Sequence, residues 1–171
     1  EQQVLISHER LSIVGIDSGT QPIVSRDSRY ILSVNGEIYN YKSLYSSIIH
    51  GKYLPQTKSD CEVIIPLYQK YWYPFVDMLD GVFSFFLYDK QNNDFFVARD
   101  PIGVNPLYWA ENIKGELCFA SEMKALIHLL PSIETSKYIQ EHFKKMFNYE
   151  ASEDCVINGI KRIPPGHYCV Y

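Results

Sequence analysis

Apolar residues fall along this chain in short runs broken by Gly, Pro, Asn and Asp, a pattern of many brief strands with a few helices between them. Val4-Leu5-Ile6-Ser7 reads as a short buried strand. From Arg10 onward Leu11, Ile13 and Ile16 give an alternating pattern, in which an arginine is ordinarily a solvated strand residue. Residues 17–29 carry the Gly19, Pro22, Asp27 and Ser28 of a loop. Tyr30-Ile31-Leu32-Ser33-Val34 is a strand that ends on Asn35-Gly36. Two readings of that dipeptide stand open. Both residues tolerate positive φ, so the pair can be a plain turn. It can equally be a site that presents an amide side chain and a free backbone N–H. A hairpin needs a returning strand, but Glu37 to Leu44 does not alternate, and Leu44 and Ile48 lie four apart, as on one helix face. The pattern predicts a strand, a sharp polar corner, and a helix from about Tyr41 to Ile49.

A connector from Gly51 to Lys58 leads to a second helix. Ser59 with Glu62 three residues on, just ahead of an apolar run, is a capping-box signature. Asp60 then falls in the first turn, where the helix dipole favours a carboxylate. Pro66 lies inside this helix and must bend it or move its start. A short helix over Pro74–Leu79 is ended by Asp80-Gly81. Val82–Asp89 is apolar almost throughout, as a strand covered on both faces would be. It forms a hairpin with Asp94–Ala98 through Lys90-Gln91-Asn92-Asn93.

Arg99 to Pro106 is strongly punctuated by Pro101, Gly103 and Pro106, with Asp100 placed to pair with Arg99 or another buried cation. Leu107–Ala110 and Glu116–Ala120 are strands joined at Lys114-Gly115. Ser121 is placed to cap a helix from Glu122 to Leu130, stopped by Pro131. Another helix is expected over 135–148, with Ile139, Phe143, Met146 and Phe147 on one face, followed by an irregular 153–158. Ile163 to Tyr168 is a turn before the final Cys169-Val170-Tyr171. Strands of this kind interrupted by helices imply an α+β domain, with two sheets face to face and helices outside.

Composition narrows the function classes. At 171 residues, 46% hydrophobic and 21% charged, the chain is that of one ordinary globular domain. Its net charge is −4 and it has no Lys or Arg block, which argues against a nucleic-acid footprint. No stretch is apolar for long enough to suggest a membrane span. Cys61, Cys118, Cys155 and Cys169 show neither Cys-x-x-Cys spacing nor a His pairing suited to zinc, so reduced thiols in a cytoplasmic protein and no bound metal are expected.

Seven stretches taken together resemble the class II glutamine amidotransferase domain of glutamine-hydrolysing asparagine synthetases. They are Arg10–Val14, Asn35-Gly36-Glu37-Ile38-Tyr39-Asn40, Ser59–Val63, Leu79–Phe85, Arg99–Tyr108, Ala120–Leu126 and Pro164-Pro165-Gly166. The resemblance implies a four-layer αββα sandwich of the N-terminal-nucleophile hydrolase type. It implies a domain that binds L-glutamine and passes ammonia to a C-terminal synthetase domain of the same parent chain, which makes asparagine from aspartate with ATP. In that reading Asn35 and Gly36 match the oxyanion pair, through a side-chain amide and a backbone N–H. Arg10 matches the grip on the glutamine α-carboxylate, Glu37 and Asp60 the acceptors for its α-ammonium, and the backbone of Arg10, Leu11, Ser12, Ile13 and Val14 lines the pocket. No cofactor is implied in this domain itself; ATP and magnesium belong to the synthetase domain, and the resemblance admits a homodimeric parent.

The chain also departs from the family pattern. Residue 1 is Glu1, and the family's amino-terminal cysteine has no counterpart. Residues 1–171 are therefore expected to be a partial, N-terminally truncated amidotransferase domain, inactive by itself, with 131–160 an insertion. The alternative is a non-catalytic amidotransferase-like binding or interface module.

Overall fold

A computed structural model describes residues 4–9, 18–50, 53–137 and 153–171. In chain order the strands are β1 (Ile23–Val24), β2 (Tyr30–Ile38), β3 (Gly81–Asp89), β4 (Asp94–Arg99), β5 (Tyr108–Glu111), β6 (Leu117–Ala120), β7 (Ile160–Arg162) and β8 (Tyr168–Val170). The α-helices are α1 (Tyr41–Leu44), α2 (Ile64–Tyr71) and α3 (Met123–Ile127). The chain divides into two compact units, Glu1–Ala98 with Cys169–Tyr171, and Arg99–Tyr168.

The first unit is built on a five-stranded sheet in the order β1-β2-β3-β4-β8. Its backbone is the antiparallel ladder of β2 and β3, which runs unbroken from Tyr30↔Asp89 to Ile38↔Gly81. On β2 the residues Tyr30, Leu32, Val34 and Ile38 turn inward at the two-residue period of a strand, while Ser33, Asn35 and Glu37 take the other face. Inward residues of β3 and β4 join α2 and the 3₁₀ helix Tyr73–Met78 in an aromatic cluster. Tyr68, Phe75, Phe85 and Phe96 make five ring contacts with centroids 5.6–6.1 Å apart. Each is essentially fully buried, which is worth about 1.5–3 kcal/mol per side chain.

The expected corner at Asn35-Gly36 is not there. The strand continues through Asn-Gly-Glu-Ile, and the chain turns only at Tyr39-Asn40. Two glycines, one on each strand, make this physically possible. Gly36 has φ 149°, and a Cβ on it would fall onto the Val82 carbonyl oxygen and lie 2.6 Å from Phe83 Cα. A Cβ on Gly81 would fall onto the Glu37 carbonyl oxygen in the same way. The two strands approach too closely for side chains at either position, so this glycine marks close packing rather than a turn.

Several local signals resolve differently from their simplest reading. The expected helix over Tyr41–Ile49 begins as α1 and continues as a π-helix over Tyr45–Ile49, ended by left-handed His50. The π winding brings residues five apart into line, which is why Leu44 and Ile49 are both buried. Pro66 moves the helix start: residues Asp60–Val63 form a 3₁₀ turn, and α2 begins at Ile64. Proline then sits in the first α-helical turn, where no N–H is needed. Val4–Glu9 forms no strand, and Leu5 is 95% exposed; the segment finds no partner strand among the described residues. The loop at 18–29 contains β1, which pairs Ile23↔Leu32 and Val24↔Ile31.

Asp89 ends β3 fully buried, and Arg29 meets it with two parallel bonds, Nε to Oδ1 at 2.8 Å and Nη2 to Oδ2 at 2.6 Å. Burial pushes the Asp89 carboxyl up, but the guanidinium and the Gln91 and Asn92 backbone N–H groups outweigh it and hold the carboxyl below its ordinary 3.8.

The second unit has a three-stranded antiparallel sheet in the order β6-β5-β7, with Ala110, Leu126, Cys155 and Ile160 at its core. β7 was not expected, since its run Ile160-Lys161-Arg162 is too short for its alternation to register. Asp100 does not pair with Arg99. Its carboxylate accepts from the backbone N–H groups of Ile102, Gly103, Val104 and Asn105. Arg99 donates instead to the carbonyls of Gly103, Asn105 and Ile163. Ser121 does not cap α3, whose N-cap is Glu122. Where a helix was expected to begin, residues 134–136 pair antiparallel with 156–158 through Thr135↔Ile157; the remainder of that helix, at 138–148, lies outside the described residues.

Two outcomes follow for stability. Gly36→Ala and Gly81→Ala each lower unfolding free energy by about 1–3 kcal/mol through overpacking, measured by urea denaturation. Because the folded Asp89 carboxyl sits below 3.8, its contribution is complete above about pH 4 and is lost as pH falls through the folded value. Asp89→Asn therefore flattens the acid limb of a stability–pH curve.

Candidate functional site

The expected site residues that the structure describes gather at the end of β2. In an antiparallel ladder alternate residues turn their N–H and C=O to the same edge. Val34, Gly36 and Ile38 turn theirs away from β3, and side chains meet that edge in turn. The Gln21 amide pairs with both groups of Val34, Nε2 donating to the carbonyl at 2.7 Å and Oε1 accepting from the N–H at 2.8 Å. Asp60 Oδ2 accepts from the Ile38 N–H at 2.7 Å. The Gly36 N–H falls between these two contacts.

Asp60 reaches the strand because of how its turn is built. Ser59 is extended and its hydroxyl accepts from the Cys61 N–H at 3.3 Å, which starts the 3₁₀ turn with Asp60 as its first residue. Glu62 does not complete the capping box. Its carboxylate, fully buried, reaches back further to accept from the Gln56 and Thr57 N–H groups and from the hydroxyls of Tyr53 and Thr57, at 2.6–2.8 Å. The connector before the turn is thereby folded around one buried carboxylate, and the turn is fixed in front of the strand.

Asn35 and Glu37 occupy the face of β2 opposite the core, with Asn35 exposed and Glu37 half-buried. Ser33 shares that face, and His8 Nδ1 lies 2.9 Å from its hydroxyl. This contact fastens the segment Val4–Glu9 two residues ahead of Asn35. Arg10, Leu11, Ser12, Ile13 and Val14 lie outside the described residues. Gly36, Glu37 and Asp60 come together around Cys61, with Asn35 next to them along β2.

The electrostatics favour a cation. Cys61 lies under the site, and its thiol is pushed well above its ordinary value by burial first, then by the Asp60 carboxylate, with Glu37 adding to the effect. Two carboxylates therefore act on one small volume beside a strand edge where the Gly36 N–H lies between the filled groups of Val34 and Ile38. That combination suits a ligand with an ammonium group at one end and a carbonyl that gains negative charge at the other. Gln21, Cys61 and the His8–Ser33 pair escaped the sequence reading. Nothing local marks Gln21 or His8; Cys61 is adjacent to Asp60 and reads only as a helix residue.

The chain belongs to the glutamine amidotransferase domain family, which it matches over residues 1–171. It is 48% identical over 123 residues to a probable glutamine-hydrolysing asparagine synthetase of Dictyostelium discoideum, an alignment covering 71% of this chain and 22% of that protein. It is 38% identical over 163 residues to the glutamine-hydrolysing asparagine synthetase B of Escherichia coli K12, covering 89% of this chain and 29% of that protein. The chain thus spans less than a third of the length of these relatives. Among solved structures, an allosteric regulatory enzyme of purine biosynthesis matches with a TM-score of 0.63 at 20% identity, over 90% of this chain and 29% of that one. The fold is of the expected α+β class and is shared with that structure.

Replacing Glu62 by Ala removes the acceptor from two backbone N–H groups and two hydroxyls at once. The expected loss is about 3 kcal/mol of unfolding free energy, read from the urea midpoint, with Glu62→Gln intermediate.

Proposed function

We propose that this chain is the glutaminase domain of a glutamine-hydrolysing asparagine synthetase, binding L-glutamine at the end of β2 and supplying ammonia to an ATP-dependent synthetase domain of the parent protein. The observation that supports the reading best is the Asp60 carboxylate held on the Ile38 N–H, two residues from Gly36, a carboxylate beside the strand that carries Asn35 and Gly36.

In this reading Asp60 and Glu37 receive the α-ammonium of glutamine, and the Arg10 guanidinium receives its α-carboxylate as a bidentate partner. The side-chain amide then lies along β2. Attack by the family's amino-terminal thiolate on the amide carbon forms a C–S bond and places negative charge on the amide oxygen. The Asn35 side-chain amide and the Gly36 N–H donate to that oxygen, each worth about 2.7–4 kcal/mol in the transition state. Collapse of the intermediate breaks the C–N bond; the leaving nitrogen takes a proton and departs as ammonia, and water later frees glutamate from the thioester. Gly36 is suited to the task because the ladder already forbids a side chain there, so its N–H stays approachable. ATP and magnesium act in the synthetase domain, and the parent is proposed to be cytoplasmic.

In the parent enzyme Asn35→Ala lowers glutamine-dependent turnover about 100-fold or more, while asparagine formation from added ammonia persists. Equal loss of both activities, measured side by side, overturns the assignment.

A further inference from the structure

One buried group beside the site is unused by the chemistry above. Cys61 is 2% exposed. Its Sγ lies 3.5 Å from the Gly36 carbonyl oxygen and 3.7 Å from Asp60 Oδ2. Both neighbours belong to residues of the proposed glutamine pocket. Cys61 thus stands where the helical turn carrying Asp60 meets the strand carrying Gly36.

We propose that Cys61 is a positioning residue for glutamine recognition, its S–H spanning the Gly36 carbonyl and the Asp60 carboxylate so that the ammonium acceptor is held in register with the oxyanion-binding strand. The inference rests on the glutamine-binding reading and extends it to a residue that touches no substrate.

Three features support this role. Asp60 already accepts from the Ile38 N–H through Oδ2; a second contact on that same atom restricts rotation of the carboxylate. The thiol carries one proton and faces two acceptors: donated to the Gly36 carbonyl it links turn to strand, and donated to Asp60 it steadies the carboxylate that already holds the Ile38 N–H. It also keeps that proton, because burial and the Asp60 charge both disfavour the thiolate. Cys61 is therefore a donor in this place and not a nucleophile. A serine hydroxyl can donate to one of the same acceptors; alanine can donate to neither.

Two measurements on residues 1–171 test the proposal with Cys61→Ala and Cys61→Ser. The first is calorimetric titration with L-glutamine and with its analogue glutaric acid monoamide, which lacks the α-ammonium. Cys61→Ala is expected to weaken glutamine binding about fivefold, Cys61→Ser to restore most of it, and the analogue to bind wild type and both variants alike. Equal weakening for both ligands overturns the proposal, since a purely structural loss would not discriminate between them.

The second measurement needs no ligand. Amide hydrogen exchange at Ile38 is expected to quicken about tenfold in Cys61→Ala and to recover in Cys61→Ser, with exchange at Leu32 on the same strand unchanged. An Ile38 amide indifferent to Cys61→Ala overturns the proposal while leaving glutamine binding by the wild type intact. A wild-type chain that takes up no glutamine overturns the glutamine reading, and the positioning role falls with it.

Discussion

The site depends on one buried carboxylate reaching one strand. Asp60 accepts from the Ile38 N–H at 2.7 Å, and through that bond the first turn before α2 is docked against the end of β2. A buried N–H without a partner would cost about 1–3 kcal/mol, and a buried carboxylate without one would cost more. The two therefore satisfy each other, and neither the turn nor the strand end can shift without exposing both needs. Ser59 and Glu62 act before this step, the first by starting the turn and the second by folding residues 53–57 around a single fully buried carboxylate.

The strand it docks against is held from the other side by steric exclusion. Gly36 and Gly81 let β2 and β3 approach until no Cβ fits at either position. The ladder that results is continuous over Tyr30–Ile38, so Asn35, Gly36 and Glu37 project from a rigid strand and not from a mobile corner. In the proposed glutaminase reading this matters more than the identity of the turn, because donors already in place need no reorganisation as charge forms.

Much of this was legible in the sequence, and the failures have a common cause. The β3–β4 hairpin, the β5–β6 pair and the helical segments after Tyr41 and Ser59 follow from local periodicity and punctuation, and they stand where expected. Asn35-Gly36 misled because glycine carries the same letter whether it frees a turn or admits a neighbouring strand. Only Gly81, 45 positions later, decides between the two. Ser59-x-x-Glu62 predicted a helix start correctly, yet Glu62 serves the connector and not the cap, since Gln56 and Thr57 arrive with unmet N–H groups. β7 is stabilised by its pairing with β5 and carries little signal of its own. Asp60 was readable as a residue type in a first turn; that its carboxylate crosses to Ile38 was not, because the contact spans 22 positions.

The outward edge of β2 is closed in a manner that bears on self-association. β1 covers it at Ile31 and Leu32, the Gln21 amide occupies Val34, and Asp60 occupies Ile38. Two of these three closures are made by side chains, which satisfy the backbone groups they meet but offer no further backbone groups of their own. A second chain approaching this edge therefore finds the valences at Val34 and Ile38 already filled, and pairing cannot propagate from one rung to the next. The strand that carries Asn35 and Gly36 is, by the same contacts, a poor template for aggregation.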